Sequence, residues 1–162
     1  MKKRLNGVFP TLAGMAVGAI AGGIAARIAP VKRNEELLEG HKKVHELYMA
    51  FDQWLRLRQE GKTLVEYFEK YNYKTVAIYG MKELGERLYD ELANTGIEVR
   101  YVIDKNADSI YADVDVVTPD DELEPVDVIV VTAIYYFDEI EENLSDKVEC
   151  PIVSLEDILY EV

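Results

Sequence analysis

Two short stretches of the chain hold the residue types that could do chemistry. The first is Gly80-Met81-Lys82-Glu83-Leu84-Gly85, which follows the apolar run from Thr75 to Tyr79. A glycine that breaks a β-branched run and opens a helical pattern presents free backbone N–H groups at the helix start, where a phosphate is attracted. The second is Asp104-Lys105, with Asp104 placed 24 residues after Gly80. That is close to the spacing of an acid that binds a ribose hydroxyl in dinucleotide-binding folds. Thr132, at the end of a second apolar run, would complete the same edge with Ala133, Ile134 and Tyr135. The chemistry in prospect is binding of a nucleotide. The middle glycine of the usual Gly-x-Gly-x-x-Gly turn is here Lys82, whose side chain either obstructs a pyrophosphate or pairs with one of its phosphates. A βα turn of this form also occurs where nothing binds, so both readings stay open.

Other spacings carry less. Tyr101 and Lys105 have the Tyr-xxx-Lys interval of short-chain dehydrogenases, but that pair needs a helix to share a face, and these residues sit on a strand running into a turn. His41 and His45 are four apart, as metal ligands on a helix would be, yet no Cys or suitably placed Glu joins them, and solvated side chains are expected. Asp120, Asp121, Glu122 and Glu124 read as a solvated turn, since a hard-cation loop needs glycine and spaced ligands. Cys150 is read as a small buried residue beside a strand, and a single cysteine excludes an internal disulfide framework. No Gly-x-Ser-x-Gly, P-loop or Cys-His arrangement occurs. Tyr135 and Tyr136 alone offer a proton at the strand edge, which leaves a small NAD(P)-dependent enzyme as the weakest of the functional readings.

The elements that would position the binding residues are strand Thr75–Tyr79, a helix from Lys82 to Leu92, and a strand from Ile97 to Ile103. This is a βαβ unit, and such units belong to parallel sheets covered by helices on both faces. Further strands are expected over Asp113–Val117, Asp127–Thr132 and Pro151–Val153, with helices over Tyr135–Leu144 and Leu155–Leu159. The fold class is therefore α/β, a Rossmann-like sheet of five parallel strands in the order 3-2-1-4-5. The stretch from Asn34 to Gln59 reads as one long helix, capped by Asn34 and closed before Gly61. Its aromatic stripe, including Tyr48, Phe51 and Trp54, would pack on the domain or on a second copy. Thr63-Leu-Val-Glu66 is a capping box for a short helix through Tyr71.

Charge is unevenly distributed. Met1–Tyr73 carries 12 Lys and Arg against 8 Asp and Glu, and Lys74–Val162 carries 6 against 23. The resulting +4 and −17 make up the net charge of −13. A domain this acidic repels phosphate backbones, so no nucleic-acid partner is expected.

The segment Thr11–Ala29 has Arg27 as its one charge and spans roughly 29 Å as a helix, close to the hydrocarbon thickness of a bilayer. Pro10 and Pro30 bracket it. Gly14, Gly18 and Gly22 repeat every four residues, a spacing that lets two membrane helices approach closely. A single-pass anchor is expected, with a signal peptide or a soluble Gly/Ala hairpin as alternatives. The flanking basic residues slightly favour the C-terminal side in the cytoplasm. Three regions follow: an anchor over residues 1–33, a helical linker over 34–73 and the Rossmann-like domain over 74–162. A homodimer through Gly14, Gly18, Gly22 and the aromatic helix is the expected association.

Taken together, IYGMKELGERLYDEL, VRYVIDKN and DVIVVTA resemble the Rossmann-like domain at the N-terminus of bacterial sugar O-acyltransferases. They are also similar to related nucleotide-sugar-binding domains of cell-envelope polysaccharide clusters. The resemblance covers Lys74–Val162. It implies a nucleotide-sugar or NAD(P) as the ligand, held by Gly80, Met81, Lys82, Gly85, Asp104, Lys105 and Thr132. Gly80, Gly85 and Asp104 match that pattern and Lys82 departs from it. The β-helix that carries acyl transfer in those enzymes has no counterpart here, so the implied role is accessory and not catalytic. The Gly/Ala-rich helix followed by a polar one resembles small bacterial membrane-anchored proteins.

Overall fold

All five apolar runs become strands and pair in the order their patterning predicts. The computed structural model describes the backbone from Thr11 and the side chains from Arg33, through to Val162. The elements are α1 (Thr11–Gln59), α2 (Val65–Lys70), β1 (Thr75–Tyr79), α3 (Glu83–Leu92), β2 (Glu98–Ile103), β3 (Asp115–Val117), β4 (Val128–Val131), α4 (Phe137–Leu144), β5 (Ile152–Ser154) and α5 (Leu155–Glu161). The strands form one sheet in the order β3-β2-β1-β4-β5, and every pairing is parallel.

Alternation along each strand sends residues to two cores. Val76, Ile78, Val102, Val128 and Val130 face one side, under α3, α5, α2 and the C-terminal turns of α1. Ala77, Tyr79, Tyr101, Ile103, Ile129 and Val131 face the other, under Ile140 and Leu144 of α4. The β1–β2 and β4–β5 crossovers thus run in opposite directions on opposite faces, as connections of one hand must. The link from β3 to β4 is too short for a helix and crosses as extended chain, with Leu123 and Val126 against the second core.

The chain divides into an N-terminal unit ending at Val44 and a C-terminal unit, His45–Val162. Within the C-terminal unit, Ala50, Trp54 and Leu57 of α1 and Leu64, Tyr67 and Phe68 around α2 are buried with the sheet. Much of the expected linker therefore belongs to the core. α1 ends where Lys62 N–H donates to Leu57 O and Gly61 N–H to Arg58 O, the paired bonds of a Schellman closure. α2 ends the same way, with Asn72 at φ 58° in the glycine-like position and Tyr73 N–H donating to Phe68 O. At its start, Glu66 Oε1 accepts from Thr63 N–H at 3.2 Å, the return bond of the capping box.

One boundary needs correction. Pro30 and Asn34 were expected to separate two helices, with Asn34 as a cap, but α1 continues through both. A proline forfeits one backbone hydrogen bond, and a helix long enough on either side carries that loss. Thr11–Ala29, the expected membrane span with its glycine repeat, lies where side chains are outside the described residues. Among the described residues no helix is long and apolar enough to cross a membrane.

Candidate functional site at the carboxyl edge of the sheet

Gly80 leaves β1 at φ 91°, a conformation that only glycine adopts without strain. Its N–H still follows the ladder, donating to Ile103 O at 2.8 Å, and the carbonyl then turns out of the sheet. Thr132, just past β4, meets that carbonyl: its hydroxyl lies 2.7 Å from Gly80 O and 3.1 Å from Tyr79 O. Gly85 packs onto the same point from the first turn of α3. A Cβ on Gly85 would collide with the Gly80 carbonyl oxygen and lie 3.3 Å from Thr132 Oγ1. The two glycines and the threonine therefore interlock, and the spacing between Gly80 and Gly85 is set by contact between helix and turn.

Asp104 closes the other side. It leaves β2 with its N–H donating to Val117 O at 2.9 Å, and it is only 8% exposed. Its carboxylate accepts from Met81 N–H at 3.2 Å through Oδ2 and from Asn106 N–H at 2.9 Å through Oδ1. An acid at the end of β2 thus reaches the glycine turn at the end of β1, with one oxygen on each loop. Oδ1 also accepts from the Asn106 side-chain amide at 3.5 Å, whereas Oδ2 keeps a lone pair beyond its bond to Met81. Lys82 is the residue before α3, extended at φ −98°, and its side chain is exposed. Lys105 is exposed and lies 3.6 Å from Glu139 of α4.

Of the seven expected binding residues, Gly80, Met81, Gly85, Asp104 and Thr132 belong to one contiguous network. Lys82 stands at its rim, and Lys105 turns towards α4. Tyr79 lies buried below, its phenol pushed up first by burial and then by the charge of Asp104.

The remaining candidates separate from this edge. Tyr101 points into the second core, where its hydroxyl donates to Glu124 O at 2.7 Å and burial pushes its pKa up to about 12. No hydrogen bond joins it to Lys105, and a phenol shifted upward stays protonated near neutral pH and is not available as a base. Cys150 is half-buried, and burial raises its thiol, which makes it a weak nucleophile. His41 and His45 are both exposed. Among the described residues no group of three or more His, Cys, Asp or Glu is arranged to hold a metal ion. In the acidic turn, Asp121 accepts from the N–H and hydroxyl of Thr118 at 2.7 and 2.8 Å, and these bonds hold its carboxyl below its ordinary value.

Two polar contacts were not foreseen. Glu91, 10% exposed at its side chain, accepts from Trp54 Nε1–H and from Leu64 N–H, each at 2.7 Å. It ties α1, the start of α2 and α3 together. Its sequence signal is an acid in helical phase with Leu84 and Leu88. Asp127, at the opposite edge of the sheet, accepts from Lys74 N–H, Thr75 N–H and the Thr75 hydroxyl, and it fastens β4 to the start of β1.

No protein-family model, no curated protein and no solved structure matches this chain.

Proposed function

We propose that the Rossmann-like domain is a non-catalytic module that binds a nucleotide or nucleotide-sugar over the Gly80 turn. The observation that supports it best is the Asp104 carboxylate, held beside Met81 N–H at the mouth of that turn. A ribose over this edge would donate hydroxyls to Asp104, and a phosphate would lie against the first N–H groups of α3 with Lys82 beside it. Nothing at the edge provides a general base with a substrate-facing partner, so the role is recognition or presentation. The resemblance to sugar O-acyltransferase domains suggests cell-envelope polysaccharide metabolism as the setting. The apolar, Arg27-containing segment suggests attachment to a membrane, with the domain on the cytoplasmic side.

The test is thermal unfolding of the full chain against NAD, UDP-sugars and CMP-sugars. Ligand at 100 times its dissociation constant stabilises by about 2.7 kcal/mol, a shift of several degrees. Lys82→Glu places a repelling charge at the rim while leaving the network intact, and it should weaken binding about tenfold or more. A flat response to every compound at millimolar concentration would remove this reading.

A further inference from the structure

We propose that the corner made by Tyr135 and Tyr136, beside the Gly80 turn, takes an uncharged pyranose, so that the ligand is a nucleoside diphosphate joined to a neutral sugar. This rests on the nucleotide reading of the same edge and specifies the part of the ligand beyond its phosphates. α3, which follows β1, packs on the first core, and α4, which follows β4, packs on the second. Strand order therefore reverses between β1 and β4, and ligands of open α/β sheets occupy the crevice beyond that point. Asp104 stands on its β2 side. The β4 side is formed by Thr132 to Tyr136.

The fold holds that second side against the first. The Thr132 hydroxyl lies 2.7 Å from Gly80 O, and a Cβ on Gly80 would lie 3.6 Å from both the amide nitrogen and the Cβ of Ala133. The chain leaving β4 thus runs along the glycine turn. A single turn of 3-10 helix follows over Ile134–Tyr136, closed by Tyr136 N–H donating to Ala133 O at 2.9 Å. Ile134 packs against the first core and Phe137 against the second, so this turn crosses the end of the sheet from face to face. Tyr135 and Tyr136 between them join neither core; Tyr135 is half-buried and Tyr136 is 44% exposed. Their ring centroids are 5.2 Å apart with the planes at 85°.

Shape and charge decide what this corner takes. Perpendicular rings cannot sandwich a flat base, which stacks between parallel faces. A pyranose has an apolar C–H face for one ring and a rim of hydroxyls for phenols that both donate and accept. Tyr79, buried beneath the edge, is pushed up first by burial and then by Asp104, Glu139 and Asp120, so three carboxylates act on this region. Lys105, 3.6 Å from Glu139, answers one of them. A sugar bearing its own carboxylate is repelled there and a neutral one is not. The diphosphate is met on the α3 side, by the helix start and Lys82. By contrast, the open groove of about 480 Å³ between α1 and α3 has both its arginines committed, Arg58 to Glu91 and Arg87 to Glu86 and Asp90.

The experiment measures, on the full chain, the affinity ratio between a nucleoside diphosphate and its sugar conjugate, using UDP with UDP-glucose and GDP with GDP-mannose. For at least one pair the conjugate should bind about tenfold more tightly, the scale of one good aromatic contact. Tyr136→Ala should bring that ratio near one, and Tyr136→Phe should keep most of it. UDP-glucuronate should bind more weakly than UDP-glucose. A diphosphate that binds as well as its conjugate, or a ratio unchanged in Tyr136→Ala, would overturn this inference and leave the nucleotide reading standing. No binding of any of these compounds would overturn both.

Discussion

Gly85 bears the tightest constraint in the carboxyl-edge network. A methyl there meets a backbone carbonyl, which has no rotamer through which to yield, so either α3 shifts away from β1 or the Gly80 turn opens. Gly85→Ala should therefore destabilise the domain by about 1–3 kcal/mol, the range of overpacking, read as a lowered denaturant midpoint with unchanged slope. Gly40 provides the contrast, since a Cβ there meets nothing; Gly40→Ala should be neutral or slightly stabilising. Thr132→Val keeps the shape of the side chain and removes the hydroxyl, leaving the turned-out Gly80 carbonyl without its partner. A loss of about 1 kcal/mol is expected. The types of Gly80, Gly85 and Asp104 were legible as a turn, a helix start and a strand end. What spacing does not carry is the third dimension. That Thr132 Oγ1 holds the Gly80 carbonyl, and that Asp104 divides its oxygens between two loops, depends on β4 and β2 both flanking β1.

At the scale of elements, Glu91 is the clearest case of a contact hidden from sequence. Its partners lie 37 and 27 residues away on other elements. Glu91→Ala strands the Trp54 indole N–H and the Leu64 amide, both close to the core, and should cost about 2–3 kcal/mol, measured by denaturant unfolding. Replacing the exposed Glu86 on the same helix should change the midpoint by less than about 0.5 kcal/mol. The strands were easier to read. β1 and β4 are buried on both faces, so their apolar runs are continuous and stand out from any register. β3 is short and half-exposed at the sheet edge, and it starts two residues later than its alternation suggested. In α1, proline and a capping residue imitate a stop and a start, and local propensity misleads because each costs less than breaking a long helix.

For the whole molecule the governing quantity is charge. Several carboxyls are held below their ordinary values by specific donors: Asp127 by the Lys74 and Thr75 amides, Asp121 by Thr118, and Glu161 by the Lys70 ammonium and the Tyr71 hydroxyl. A carboxyl depressed in the folded state contributes stability that is fully present above its unfolded value and is lost as pH falls through its folded one. Relief of self-repulsion acts the other way as the net charge of −13 is titrated, so a single melting curve against pH mixes the two effects. The difference between wild type and Asp127→Asn separates them. Wild type should be the more stable at neutral pH, and the gap should close below about pH 4. A gap that persists unchanged at pH 3 would show that the Asp127 charge contributes nothing.

The measurement that tests the central claim most directly is amide NMR of the labelled full chain, titrated with NAD and with UDP- and CMP-sugars. A ligand over the glycine turn should shift the amides of Gly80 to Leu84, Asp104 to Asn106, and Thr132 and Ala133. The amides of Lys74 and Asp127, at the opposite end of the sheet, should stay still. Shifts confined to the groove between α1 and α3, or none anywhere at millimolar ligand, would contradict the account and leave the turn as a closed structural joint.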